Sequence, residues 1–448
     1  MEYHDSEKAQ EVASRVEAFM EEEVLPRERE ALRTGDRVSM DELEEYWEMA
    51  KERDIFAPQA PQKYGGQGFE FRNMLPSFEQ VGRSLFGALA IRANAPDEGN
   101  MHTLEIGANE HIKEEYLRPL VQGDMWSCFS MTEPIGGGGS DPKMLQTTAE
   151  KDGDEWVING HKWWSSQAKV ADFLLVFART DPDAHPYEGS SIILVPKDTP
   201  GVEIVRNYGV LGGHGVLETE LGHAEIKYDN VRVPVENTVG EEGGGFRLAQ
   251  LRLGGGRLTH CMRYSGMAER ALDVAKAYMA EREAFGEPLS NKQALRHRIA
   301  DAETKLHVAR TASRHAAREL DNSDARIEVA MAKTYTANVT NEIIDLAVQC
   351  CGGNGIAKDL PLAHFYEDVR AFRIFDGADE VHRRTIARDA FEDLKTEEVE
   401  HVLRSAPPRH GAAVAADDCP PPCPRRSGNR QGTLSRNCRW RPRPGRGL

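Results

Sequence analysis

The chain has no run of 18 apolar residues, so none of it can be a membrane-spanning helix. G-x-G-x-x-G and G-K-[ST] are both missing, which removes the Rossmann and P-loop routes to a nucleotide. H-E-x-x-H and G-x-S-x-G are missing too, so metalloprotease and hydrolase readings lose their signatures. Cysteine is sparse, at seven in 448 residues. Cys128, Cys261, Cys350 and Cys351 show neither disulfide nor zinc spacing, and no metal site is expected. Lysine is scarce, with 16 Lys against 40 Arg. Positive charge is short overall, and the net charge is −17. The tail after residue 404 has nine Arg and two Asp, contributing +7 and leaving −24 for the remainder. A chain that acidic is repelled by nucleic acid and by anionic membranes, so neither is expected as a partner. A lysine-poor acidic surface also suits a high-salt medium. The first twenty residues are acidic and amphipathic, unlike a secretory leader, and a cytoplasmic protein is expected.

What remains is long enough for two or three domains with ample core. Residues 6–33 carry Val12, Val16, Phe19 and Met20 on one helical face. Ser39-Met-Asp-Glu42 is a capping box for a second helix bearing Leu43, Trp47 and Ala50. A loop is expected at 61–68, followed by further helices over 72–93 and 98–122. From Trp126 the period becomes two. Asn159-Gly160 between apolar runs predicts a hairpin turn, and strands are expected near 173–178, 191–195, 202–208 and 225–233. Helical periodicity returns over 247–284, 292–320, 325–348 and 382–394, rich in Ala and charged pairs as in a bundle. The expected domains are a helical 1–124, a β 125–238, a helical bundle 239–395 and a disordered Pro/Arg-rich tail 396–448. A metal site at His410, Cys423 and Cys438 has the wrong spacing.

The chain is organised around Trp126–Asp141, WSCFSMTEPIGGGGSD. A strand end is stopped by Pro134, then four glycines, Gly136 to Gly139, expose backbone N–H groups to an anionic or amide-rich ligand. This stretch resembles the flavin-binding signature of acyl-CoA dehydrogenases, with a loop two residues longer than the commonest form. KYGGQGF (63–69) and EEYLRPLVQGD (114–124) are further anchors of the resemblance, which covers about residues 40 to 395. It implies an α+β multidomain fold: an N-terminal α-helical domain, a middle β-sandwich or barrel-like domain and a C-terminal four-helix bundle.

The resemblance also implies residue roles. NGHKWWSS (159–166) is similar to the segment that contacts the isoalloxazine, through Trp164 and Ser166. An indole stacks on a flat apolar ring, and a hydroxyl can hydrogen-bond its polar edge. Phe129, Met131 and Thr132 would line the flavin's other edge, with Ser140 near both cofactor and substrate. Arg282, Phe285 and Gln293 lie in a segment similar to the element that reaches the FAD of a neighbouring subunit, where an Arg fork suits a pyrophosphate. Gln349 and Gly353 belong to a Q-x-x-G-G-x-G turn that would meet the same FAD, and Glu380 is assigned to the cofactor as well. Arg257 would support the substrate region.

The family base is a Glu in a Y-E-G-T-like loop. Here the loop is Ile374-Phe-Asp376-Gly377-Ala-Asp-Glu380, so the resemblance puts Asp376 in the base position and Gly377 at the substrate, and implies that the Asp376 backbone N–H, with a flavin ribityl hydroxyl, binds the thioester oxygen. Asp for Glu withdraws the carboxylate by about one C–C bond, and misplacement by about 1 Å can cost about 10²-fold. Segments APDEGNM (95–101), HCMR (260–263) and DGADEVH (376–382) resemble a branch whose eukaryotic members are fused to kinase-like domains and share this Asp. That branch is associated with 4-hydroxylated acyl chains. The implied activity is FAD-dependent dehydrogenation of an acyl-CoA to a trans-2-enoyl-CoA by a homodimer or homotetramer, with an electron-transferring flavoprotein as oxidant. Two rivals stay open: a flavin oxidase of nitroalkanes or acyl-CoA, and a flavin- or acyl-CoA-binding protein without turnover.

Overall fold

Ser6 opens the first helix: its Oγ accepts from the amide of Ala9 at 3.2 Å. Helix α1 (Glu7–Phe19) buries Val12, Val16 and Phe19. A π-turn over Met20–Val24 then widens the backbone before α2 (Leu25–Thr34), which Gly35 ends at φ +77°. The expected single helix is therefore two, and the π-turn keeps both Met20 and Val24 in the core. A computed structural model describes residues 5–212, 215–217, 220–392 and 399, so the expected disordered tail lies, except for Val399, outside the described residues.

The capping box of α3 (Met40–Glu52) forms as its sequence predicts: Ser39 Oγ accepts from Glu42 N at 3.2 Å, and Glu42 Oε2 from Ser39 N at 2.9 Å. Leu43, Trp47 and Ala50 are buried beneath it. Residues 72–93 divide into α4 (Phe71–Gly82) and a short α5 (Gly87–Ala90). The start of α4 takes its acceptor from far along the chain, because the Asp321 carboxylate accepts from Phe71 N at 2.9 Å and Arg72 N at 3.3 Å. The stretch 98–122 is also broken, into α6 (Asp97–Gly107), α7 (Glu110–Ile112), a π-turn over Lys113–Leu117 and α8 (Arg118–Gln122). Asn109 causes the first break by capping α7, accepting from Ile112 N at 2.9 Å.

Eight strands follow: β1 (Ser127–Ser130), β2 (Thr148–Asp152), β3 (Glu155–Ser166), β4 (Phe173–Arg179), β5 (Ser190–Pro196), β6 (Val202–Asn207), β7 (His223–Pro234) and β8 (Thr238–Val239). They form one sheet in the order β6-β7-β3-β2-β4-β5-β8, with β1 parallel to β4. Alternate residues of β4 enter different cores. Phe173, Leu175 and Phe177 pack with the N-terminal helices, while Leu174 and Val176 join Trp156, Ile158, Ile193, Val195, Ile226 and Tyr228. The second cluster is built from strands and their connections, so the sheet curls around it.

One expectation fails here. Asn159–Gly160 is not a hairpin turn but lies inside the twelve-residue β3, at an irregularity against β7. The turn is Gly153–Asp154, with Gly153 at φ +66° and Asp152 paired to Glu155. Gly160 is there because a Cβ would fall 2.3 Å from Thr147 Oγ1, and Asn159 Oδ1 accepts from Asn230 N at 2.8 Å. The Asn–Gly pair thus serves a close approach rather than a reversal.

The C-terminal part is helical: α9 (Gly245–Glu281), a ribbon of β9 (Glu283–Ala284) with β10 (Glu287–Pro288), α10 (Gln293–Leu320), α11 (Arg326–Cys351), α12 (Pro361–Phe372) and α13 (Asp379–Ala390). Helix α12 was not among the expected elements; its Leu362, Phe365, Val369 and Phe372 pack into the core shared by α9, α10 and α11. Helices α4 and α9 approach closely through two glycines. A Cβ on Gly82 would lie 2.0 Å from Arg263 O, and one on Gly266 would lie 1.9 Å from Glu79 O. That contact sets α9 against the N-terminal helices and brings its polar residues to the site described next.

Candidate active site

The loop between α12 and α13 carries two successive left-handed residues, Asp376 at φ +54° and Gly377 at φ +95°. For Asp376 this costs about 1–2 kcal/mol, so the surroundings must hold the loop in place. Three donors do so. Arg257 Nε on α9 reaches Asp376 O at 2.8 Å, His382 Nε2 on α13 reaches the same oxygen at 3.2 Å, and Lys333 Nζ on α11 reaches Gly377 O at 2.9 Å. Lys333 also pairs at 3.1 Å with Asp379 Oδ1, and both side chains are buried. Asp379 Oδ2 accepts from Asn338 Nδ2 at 2.9 Å and Arg373 Nε at 3.2 Å. Gly377 is the required residue at its position, since a Cβ would lie 2.9 Å from His382 Nε2.

Burial pushes the Arg257 guanidinium, the Lys333 ammonium and the His382 imidazole below their ordinary pKa values, His382 to about 4. His382 is therefore a neutral donor to the loop. The Asp376 carboxylate points from this frame toward α9. Its Oδ2 is 3.3 Å from His260 Nε2 and 3.9 Å from where a Cβ of Gly256 would lie. Gly256 also lines a narrow cleft of about 30 Å³ between α4, α6 and α9. Phe71 and Met74 give the cleft an apolar wall, and Gln59, Glu98, His102 and Arg252 give it a polar one. Arg252 is buried; its Nε donates to Asn100 Oδ1 at 2.9 Å and its guanidinium lies 4.1 Å over the Phe129 ring. Glu98 Oε1 accepts from Thr259 Oγ1 at 2.6 Å and Arg263 at 3.0 Å, while its buried Oε2 has no partner.

Phe129 leads to the glycine-rich stretch, where Glu133 organises the backbone. Its carboxylate accepts from Gly138 N at 2.8 Å, and from Gln146 N and Thr147 N at 2.7 Å each. It also pairs with the fully buried Lys162 at 3.0 Å. Burial alone would raise Glu133, but Lys162 and the backbone donors hold it below the carboxylate range. Lys162 is pushed down to about 8 by burial, against the pull of Glu133. Lys162 Nζ donates to Met131 O at 2.7 Å, and Trp163 N donates to Thr132 O at 2.9 Å. These bonds lock the end of β1 to β3. Trp164 has φ +55°, is 45% exposed, and stacks on Tyr208 at 4.7 Å. Ser166 Oγ is 2.8 Å from His223 Nδ1. Ser140 is exposed at the end of the loop.

The expected residues thus form three groups. Asp376, Gly377 and Arg257 come together at the loop between α12 and α13. Phe129, Met131, Thr132, Trp164 and Ser166 occupy the joined β1–β3 edge. Arg282, Phe285, Gln293, Gln349 and Gly353 are all exposed on the outer end of the bundle. Asn354 Nδ2, donating to Tyr278 Oη at 3.2 Å, ties the glycine turn to the end of α9 that carries Arg282. Phe285 is 97% exposed at φ +56°, an aromatic ring that the described residues leave uncovered. Glu380 is exposed and pairs with Arg383 at 3.5 Å. Sequence reasoning did not single out His260, Lys333, Arg252 or Glu98 as site residues.

Family models describing the N-terminal, middle and C-terminal domains of acyl-CoA dehydrogenase match residues 6–124, 128–231 and 243–391. The chain belongs to the acyl-CoA dehydrogenase family. It is 41% identical over 400 residues to the probable acyl-CoA dehydrogenase FadE2 of Mycobacterium tuberculosis, covering 87% of this chain and 96% of that protein. It is 38% identical over 403 residues to acyl-CoA dehydrogenase family member 11 of Gallus gallus, covering 86% of this chain and 51% of the relative. The chain thus spans about half the length of that relative. A solved acyl-CoA dehydrogenase structure from Mycobacterium abscessus superposes with a TM-score of 0.81 at 37% identity, covering 87% of this chain and 99% of that one.

The acyl-CoA dehydrogenase fold, with its helical, β and helical domains, is the fold of this chain. FAD is the cofactor that goes with it, and the residues present fit that group. The half-exposed Trp164 indole offers a flat apolar ring, on the strand whose Trp163 amide bonds Thr132 O and two residues before Ser166. Gly136 and Gly139 have nothing within 4 Å of a would-be Cβ, so their backbone is open to a ligand. Among the described residues no cluster of His, Cys, Asp or Glu could hold a metal, and the four described cysteines are free and buried. No helix of the described residues is long and apolar enough to cross a membrane.

Proposed function

We propose that the protein dehydrogenates an acyl-CoA thioester between Cα and Cβ, with Asp376 as the base. The observation that carries this reading is the carboxylate beside the cleft, on a loop whose two carbonyls are each held by a cationic side chain. Asp376 takes the α-proton: the Cα–H bond breaks and an O–H bond forms on the carboxyl, leaving the electron pair to become the Cα=Cβ bond. FAD supplies the acceptor for the hydride that leaves Cβ. Arg257 and Lys333 keep the loop from recoiling, and the amide of Asp376 would donate to the thioester oxygen, polarising the carbonyl so that the α-proton is acidic. The product is a trans-2-enoyl-CoA.

The polar wall of the cleft supports an acyl chain bearing a hydroxyl, because Glu98 Oε2 and Gln59 Oε1 are buried without partners. The exposed set Arg282, Phe285, Gln293, Gln349 and Gly353 supports an assembly, a dimer or a dimer of dimers, in which one protomer completes the FAD site of its partner. An electron-transferring flavoprotein is the proposed oxidant. Asp376→Asn tests the base: the purified variant should stay yellow with FAD, and its bleaching by acyl-CoA under anaerobic conditions should fall by about 10²–10⁴-fold. Bleaching at the wild-type rate refutes the role.

A further inference from the structure

We propose that His260 is a positioning residue for this reaction, donating from Nε2–H to the Asp376 carboxylate and aiming it into the cleft. The inference rests on the reading of Asp376 as the base. His260 lies on the buried face of α9, four residues from Gly256, which lines the cleft. Its ring sits between two charges of opposite sign. Arg263 Nη2 is 2.9 Å from Nδ1 and 3.4 Å from Nε2, and Asp376 Oδ2, which can only accept while ionised, is 3.3 Å from Nε2. Among the described residues no other side chain hydrogen-bonds or pairs with the Asp376 carboxylate.

The tautomer follows from hydrogen-bond inventory. A guanidinium only donates, so the ring nitrogen nearest Arg263 must present its lone pair. The ring proton is then on Nε2, facing Asp376. Arg263 is itself fixed, donating to Ala93 O at 2.6 Å and to Glu98 Oε1 at 3.0 Å. The ring plane is fixed by aromatic neighbours: Phe375 lies 4.9 Å away, Phe372 6.0 Å and Tyr264 6.3 Å. A chain of polar contacts therefore runs from Glu98 on α6 through Arg263 and His260 on α9 to the base loop. Burial, with Arg263, Arg252 and Lys333 nearby, holds the imidazole neutral, so it orients the carboxylate without becoming its counter-ion.

The need for such a residue comes from the side chain at 376. An aspartate carboxylate sits one methylene closer to the backbone than a glutamate's, and its reach into the cleft depends on a single χ1 setting. A fixed donor on the facing helix selects that setting. Anaerobic stopped-flow mixing of FAD-loaded protein with an acyl-CoA tests this. His260→Leu should retain FAD and acyl-CoA affinity but bleach about 10- to 100-fold more slowly. His260→Gln, which places an amide donor near the position of Nε2, should recover most of the rate. In an Asp376→Asn background the Leu substitution should cost nothing further. Wild-type rates in His260→Leu, together with a dead Asp376→Asn, overturn the positioning role and leave the base assignment standing. An active Asp376→Asn overturns the base assignment itself. If His260→Leu does not hold FAD, ¹⁵N spectra of histidine-labelled wild-type protein decide: a proton on Nε2 alone supports the proposal, and a proton on Nδ1 overturns it.

Discussion

Replacing Lys333 with methionine should destabilise the fold by about 3 kcal/mol. Lys333 and Asp379 are almost wholly buried, with side-chain exposures of 0% and 1%. Removing one partner of a buried ion pair costs about 3–5 kcal/mol, mostly because the other charge is left uncompensated. The lower end applies here because Asp379 keeps Asn338 and Arg373 as donors. At about 2.1 cal/mol/K of unfolding entropy per residue, a change of that size lowers the melting temperature of a 448-residue chain by about 3–4 °C. Lys333 Nζ also holds Gly377 O, so the base loop loses a tether and flavin bleaching should slow. Lys333→Met with Asp379→Asn removes both charges and should recover at least about 2 kcal/mol of the loss. Urea unfolding of the FAD-loaded proteins, followed by tryptophan fluorescence, gives the four corners of the cycle. The reasoning is refuted if Lys333→Met lies within about 0.5 kcal/mol of wild type, the range of an ordinary surface change. It is also refuted if the double variant is no more stable than the single one.

Glu133→Gln should strand Lys162, which has no exposed surface, and loosen the glycine-rich stretch, lowering the FAD content of the purified protein; an unchanged ratio of visible to ultraviolet absorbance counts against the anchoring role. Stability should fall on acidification through the window between the ordinary histidine pKa of 6.5 and the value of about 4 that His382 has in the fold. The sign follows because the unfolded chain binds the proton first, so below pH 6.5 it gains relative to the native state. The contribution of His382 is at most about 3 kcal/mol, fully present above that window. His382→Gln should flatten the acid limb of a plot of unfolding free energy against pH, and an unaltered limb refutes the assignment.

How far the sequence alone carried depended on how local the cause was. The capping box at Ser39 and the stripe Val12–Val16–Phe19 are set by residues a few positions apart, and both appear where their spacing places them. Asn159–Gly160 misleads because the glycine answers Thr147, the residue just before the neighbouring strand β2, not the local chain. The family resemblance marks the Asp376 loop and Arg257, but not Lys333 and His382, which hold the loop from α11 and α13. One signal was available for the missed residues. Arg252, Gly256, Thr259, His260 and Arg263 recur at helical spacing on one face of α9, and polar residues on a face that should be buried mark a site rather than a core.

The cap on α4 has a bearing on how the chain comes to fold. Phe71 and Arg72 emerge from the ribosome about 250 residues before the carboxylate at position 321 that receives their amides. Until α10 has been synthesised and has docked, the start of α4 has only water for a partner, and the glycine seam against α9 is also unmade. The start of α4 is therefore completed only late in synthesis. A break in α10 near Leu320 would be felt first some 250 residues earlier, at Phe71 in the wall of the cleft.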